Sequence, residues 1–179
     1  MGTTPATRIN MQPMAAPRRL SLRIAMFCTM LAVGCAVGAD EQQRMTLQHD
    51  PRYILEAVAR KMNVTLDPDR PLPRIYFESS TPLEQFQTAI APQWRFRPPM
   101  FANAYVTARN EIYLSDDPGY SRRVHRTLDE SLAHEYTHYL QVHYFAADLA
   151  DEGCESQAVA VQIAFREENQ PRRAPGETG

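Results

Sequence analysis

No excess of one charge marks this chain: 19 lysines and arginines stand against 21 aspartates and glutamates in 179 residues. That balance lacks the basic stripe a polyanion selects, so no nucleic-acid partner is expected. Cysteine is scarce. Of the three present, Cys28 and Cys35 lie in the N-terminal segment, which leaves Cys154 alone in the remainder. One thiol makes no intramolecular disulfide and excludes a paired-cysteine zinc site. It reads as a small buried helix residue. Long apolar runs are missing too: residues 24–33 form an apolar stretch that falls short of the ~20 residues a membrane span needs. Finally, no proline or glycine occurs between residues 122 and 147, so an uninterrupted helix is expected there.

The first forty residues read as an address label. Arg18, Arg19 and Arg23 precede the apolar run, small residues follow it, and Val37-Gly38-Ala39 before Asp40 is an acceptable signal-peptidase site. Residues 1–39 are therefore expected to be a secretory signal peptide, with the product exported, periplasmic or secreted. Ala32-Val33-Gly34-Cys35 also fits a lipoprotein box, which leaves a lipid anchor at Cys35 open, and a retained anchor is a third option. Residues 40–169 are expected to form one domain. Residues 170–179, with Pro171-Arg172-Arg173 and Pro175-Gly176, have the composition of a disordered tail.

Within that domain the periodicities alternate between helix and strand. Asp50 before Pro51 is a helix start, and Ile54, Leu55, Val58 and Met62 form the apolar face of a helix over residues 51–62. Residues 74–78 have strand composition. Thr81-Pro82-Leu83-Glu84 has a capping-box pattern opening a helix to about Ile90, before Pro92. Ala104-Tyr105-Val106-Thr107 and Glu111-Ile112-Tyr113-Leu114 flank Ala108-Arg109-Asn110, a hairpin with Asn110 able to take the left-handed turn position. Cys154 to Arg166 reads as a last helix, its seam formed by Ala158, Val161 and Phe165. The expected fold class is α+β, a small antiparallel sheet or hairpin packed on two central helices.

The chemistry concentrates in Ser131-Leu132-Ala133-His134-Glu135-Tyr136-Thr137-His138-Tyr139-Leu140, an H-E-x-x-H stretch. On a helix His134 and His138 lie about 40° apart on one face and about 6 Å apart along the axis, a spacing from which two imidazoles chelate one zinc ion. Leu128, Leu132, Tyr136 and Leu140 recur at a spacing of four and mark a buried seam beside them. Zinc lowers the pKa of water towards about 7, and Glu135 stands where it can take the proton as that water attacks a carbonyl. This is the logic of a zinc-dependent peptidase.

The stretch resembles the active-site helix of the zincin metallopeptidases. His143 falls one residue early for the third histidine of the metzincin branch, and no glycine precedes it. The gluzincin type remains, in which a glutamate of a second helix is the third ligand. More loosely, the C-terminal half is similar to small exported bacterial proteins with an H-E-x-x-H-x-L-Q helix followed by a C-E-x-E-A helix. Here these read His134 to Gln141, then Cys154-Glu155-Ser156-Gln157-Ala158. The resemblance implies a strand at the rim of the cleft that pairs with extended substrate, for which residues 111–114 are the candidate.

Three residues compete for the third ligand. Glu155 is first, one turn from the apolar seam. Position 157 carries glutamate in the resembled pattern but is Gln157 here, a weaker amide ligand, and Glu152 is the third option. For the donor that meets the oxyanion, Tyr113, Tyr120, His125, Tyr139 and His143 stand open. Asp129 and Glu130 are expected to be exposed, with orientation of a ligand imidazole as the alternative. Two functional readings follow. One is an exported zinc metallopeptidase with Glu135 as general base and a peptide or protein substrate. The other is a zinc-binding or structural module without turnover, which Gln157 favours.

Overall fold

The computed structural model describes residues 44–169. The expected signal peptide at residues 1–39, with Cys28 and Cys35, and the tail at residues 170–179 lie outside the described residues.

Helix α1 (Pro51–Lys61) starts as the sequence dictates. The Asp50 side chain accepts from the Arg52 N–H, Pro51 occupies the first position, and Ile54, Leu55 and Val58 are fully buried. Strand β1 (Arg74–Phe77) follows, then α2 (Leu83–Trp94). The capping box does not form: the helix begins after Pro82, with no side-chain cap. Nor does Pro92 end it. The helix continues to Trp94 and stops where Arg95 turns left-handed at φ 63°. Proline is tolerated there because the last turn is fixed from outside. Gln93 is bonded to the neighbouring strand, and the Trp94 ring lies edge-on to Phe86 at 6.0 Å.

Strands β2 (Ala104–Val106) and β3 (Glu111–Leu114) form the expected antiparallel hairpin, with Asn110 left-handed at φ 50°. A third strand adds to it: β1 pairs in parallel with β3, so the sheet is mixed and ordered β1-β3-β2. The fold class is α+β. All four residues of β3 are buried, because helices cover both faces of the sheet. Tyr105, Ile112 and Leu114 enter the larger core with α1 and the two C-terminal helices. Ala104, Val106 and Tyr113 alternate to the other face and meet Phe86 and Ile90 of α2.

The uninterrupted helix expected from residue 122 is instead two. Helix α3 (Pro118–Val124) is capped by Asp117 and ends at a left-handed His125. Thr127 then opens α4 (Leu128–Phe145), its side chain accepting from the Glu130 N–H. Composition alone concealed the break, since a non-glycine residue makes the left-handed turn. Helix α4 ends at left-handed Ala146, and α5 (Glu152–Asn169) folds back along it. Leu128, Leu132, Tyr136 and Leu140 are buried as the spacing predicts, and Ala158, Val161 and Phe165 of α5 are buried too.

Asp129 and Glu130 are not exposed. Asp129 accepts from the backbone N–H groups of Gln48 and His49, at 2.8 and 3.1 Å, and contacts the His49 ring at 2.6 Å. Glu130 takes two bonds from the Arg166 guanidinium, at 2.9 and 2.6 Å. These partners pin the segment before α1 and the end of α5 onto α4. Neither carboxylate reaches His134.

Candidate metal centre

Burial of one face of α4 against α1 and α5 fixes the rotation of the helix, and with it where the two histidines point. Both imidazoles turn towards the start of α5. His134 Nε2 and His138 Nε2 are 3.2 Å apart, and the rings stand almost perpendicular, at 82°. Glu155 closes the triangle, one carboxylate oxygen 3.4 Å from His134 Nε2 and the other 3.4 Å from His138 Nε2. Among the described residues this is the group of histidine, cysteine and acidic side chains placed to share a metal ion. Two atoms each about 2.1 Å from a zinc ion at the tetrahedral angle lie about 3.4 Å from each other. The two imidazole nitrogens and the carboxylate oxygen nearest each of them stand at about that figure, and one donor atom from each residue keeps all three within 4.8 Å, so the residues present fit zinc.

The other two candidates for the third ligand are elsewhere. Gln157 Oε1 accepts from Gln141 Nε2 at 2.9 Å. Glu152 is the exposed first residue of α5.

Gln141 also settles a tautomer. Its Nε2 donates to the Cys154 carbonyl at 2.8 Å, an atom that only accepts, so its Oε1 must be the atom 2.9 Å from His138 Nδ1. His138 therefore carries its proton on Nδ1 and presents the Nε2 lone pair to the triangle. For His134 the corresponding support is Gln162, 2 % exposed on α5, whose amide favours a proton on the imidazole. His134 Nδ1 and Gln162 Oε1 are both buried and neither makes a hydrogen bond among the described residues. Burial, followed by the His138 ring, lowers the His134 pKa to about 4, so this imidazole is neutral at ordinary pH. The His138 lone pair, a neutral second imidazole and a carboxylate thus converge, an arrangement that a cation stabilises.

Sequence reasoning overlooked both glutamines, although the helical spacing held the signal. Gln141 is three residues past His138, and Gln162 is two turns past Glu155. Gln162→Leu is expected to weaken zinc binding about tenfold to a hundredfold while leaving the melting temperature of the metal-free chain unchanged or higher, because it removes a poorly satisfied buried amide. Zinc titration beside a thermal melt checks this.

Glu135 is 4 % exposed and lines the same cleft as the triangle. Burial, and secondarily the charge of Glu155, raises its pKa to about 8, while the Tyr105 backbone N–H favours the ionised form. Of the five candidate oxyanion donors, Tyr120 faces this cleft. Burial is the main reason its pKa is raised, and Glu135 adds to it, so it keeps its proton. The others are committed elsewhere. Tyr113 donates to Glu111 at 2.9 Å, Tyr139 donates to the Pro71 carbonyl at 3.1 Å, and His143 meets the Tyr105 hydroxyl at 2.8 Å. His125 caps α3. Arg126, which sequence reasoning passed over among neighbouring arginines, also faces the cleft.

The expected rim strand is corrected. Strand β3 has a partner on each side, β1 and β2, so neither of its edges is free for a ligand. It is β2 that borders the cleft, through Ala104 and Tyr105. The cleft holds about 290 Å³ and is lined also by Trp94 at the end of α2. Cys154 is buried, its thiol directed at the Asp148 carbonyl 3.4 Å away, and burial raises its pKa. That agrees with a packing residue. No family model, curated protein or solved structure matches this chain.

Proposed function

We propose that this chain is an exported zinc-dependent peptidase on a minimal scaffold of the zincin, gluzincin-like kind, with His134, His138 and Glu155 as the residues that would hold the metal. The observation that carries the reading is the His134, His138 and Glu155 cluster, one donor atom of each within 4.8 Å of the others, which opens on a cleft containing Glu135. A zinc ion there supplies Lewis acidity, polarising a carbonyl and making water easier to deprotonate.

The chain's own residues do the rest. Glu135 takes the proton of the attacking water and delivers it to the departing amine, in the ionised form that a divalent ion beside it would favour over the effect of burial. Tyr120 keeps its proton and donates to the carbonyl oxygen as charge builds on it. Gln141 holds the His138 Nδ1 proton in place, so that Nε2 lone pair stays turned to the centre, and the Gln162 amide, which favours a proton on His134, is the group suited to do the same for the second ring. Export rests on residues 1–39 alone; no described helix is long and apolar enough to cross a membrane.

The second reading, a zinc-holding module without turnover, draws on the fact that the ligands come from two helices, so a metal would fasten α5 to α4. Gln157 no longer favours it, because that side chain supports Gln141 instead. The test is to strip the chain of metal, reload it with one equivalent of zinc and present a broad peptide mixture. Hydrolysis that appears with zinc and stops with chelator supports the peptidase. A loaded chain that gains thermal stability yet cleaves nothing supports the module.

A further inference from the structure

Strand β2 is the outer strand of the sheet and borders the cleft, so its unpaired backbone groups are where an extended peptide would add. The Tyr105 carbonyl, and the Thr107 N–H just past the strand, are already engaged. The Gln93 side-chain amide lies along the edge as a peptide unit would. Its Nε2 donates to the Tyr105 carbonyl at 3.0 Å, and its Oε1 accepts from the Thr107 N–H at 3.1 Å. The Tyr105 N–H favours the Glu135 carboxylate, and the Asn103 N–H favours the Tyr120 oxygen. The Tyr105 carbonyl of β2 and the Thr107 N–H just past the strand are thus taken by Gln93, while Glu135 and Tyr120 lie against the N–H groups of Tyr105 and Asn103.

A ligand in this cleft must therefore be gripped by something other than main-chain pairing. Arg126 is the group that remains. It is half-buried, lines the cleft with Tyr120, Glu135 and the triangle, and its guanidinium makes no hydrogen bond or ion pair with any described residue. The backbone beneath it is held: its N–H donates to the Ser121 carbonyl at 3.3 Å, and its own carbonyl accepts from the Ser121 hydroxyl. Its charge is felt by His134, Glu135 and Tyr120. A planar fork of five donors, positioned but unpaired, matches the two oxygens of a carboxylate better than a single carbonyl oxygen. The cleft volume, about 290 Å³, holds a ligand of about two residues. With a divalent metal bound and both glutamates ionised, the cleft carries one net positive charge, which favours an anionic end.

We propose that Arg126 binds the free C-terminal carboxylate of a short peptide, so that this centre acts on chain ends rather than on extended internal segments. The proposal rests on the peptidase reading of the same site. Its test does not need turnover. Trp94 is the only tryptophan of the chain and lines the cleft, so its fluorescence reports occupancy. The zinc-loaded chain is titrated with N-acetyl-alanyl-alanine and with its C-terminal amide, in the native sequence and in Arg126→Met and Arg126→Lys.

The acid is expected to bind about tenfold to a hundredfold more tightly than the amide. Arg126→Met should bring the acid down to the level of the amide, with zinc affinity within about twofold, and Arg126→Lys should restore part of the difference. Equal binding of acid and amide by the native chain would overturn the proposal, as would an equal loss for both ligands in Arg126→Met. Tighter binding of long peptides blocked at both ends would also overturn it. The two readings separate cleanly. Acid preference without hydrolysis keeps the anchor and removes the peptidase, whereas hydrolysis of blocked peptides with no acid preference does the reverse.

Discussion

Replacing Glu135 by glutamine is expected to lower kcat/KM for peptide hydrolysis by about two to four orders of magnitude while zinc remains bound at native stoichiometry. The expectation follows from what Glu135 touches. It shares a cleft with the triangle of donors but is not one of them. Its carboxyl sits in buried surroundings where burial disfavours the charge. Glutamine has the same shape and keeps an oxygen for the Tyr105 N–H, so the local packing is retained. It has no proton-accepting carboxylate, so the one function removed is the transfer from water. Because the change also removes a buried acid, stability should hold or rise. Native rates in Glu135→Gln would remove this residue from the mechanism.

Glu155 and Gln157 should respond to alanine in opposite ways. Glu155→Ala deletes one corner of the triangle and is expected to weaken zinc binding by about a hundredfold or more. Its side chain is 62 % exposed, so the loss of fold stability should stay within about 0.5 kcal/mol, and a fall in metal affinity cannot be charged to unfolding. Gln157→Ala removes an acceptor from Gln141, whose Nε2 keeps its second bond to the Cys154 carbonyl. The His138 tautomer then survives, and zinc affinity should fall by about tenfold at most. Competition titration with a coloured chelator reads both variants. A hundredfold loss in Gln157→Ala with native affinity in Glu155→Ala would reassign the third corner.

The parts of the fold that local signals determine were legible before any coordinates. Asp50 before Pro51 marked the start of α1, Asn110 marked the turn of the hairpin, and the spacing of Leu128, Leu132, Tyr136 and Leu140 marked the buried face of α4. The face carrying His134 and His138 followed from the same spacing, and Glu155 was favoured for its place one turn from the seam of α5.

What depended on distant partners was hidden. Strand β3 looked like a cleft rim because its parallel partner β1 lies 37 residues away, in the Arg74↔Glu111 register. Asp129 looked exposed because the backbone groups that bury it belong to Gln48 and His49, 81 and 80 residues earlier. Pro92 looked like a stop because no sequence signal announces that Gln93 will be tied to β2. Arg126 resembled any surface arginine until the α3–α4 break turned it into the cleft. The two glutamines are different: their spacing was readable, but amides draw less notice than carboxylates beside a metal motif.

The central claim is that His134, His138 and Glu155 make one site for one divalent ion. Zinc titration of the purified metal-free chain, with stoichiometry read by elemental analysis after gel filtration, tests it most directly. The expected result is close to one zinc per chain, retained through the column and accompanied by a higher melting temperature. A chain that emerges without zinc after saturation, and melts at the same temperature with or without it, would contradict the claim and the peptidase with it.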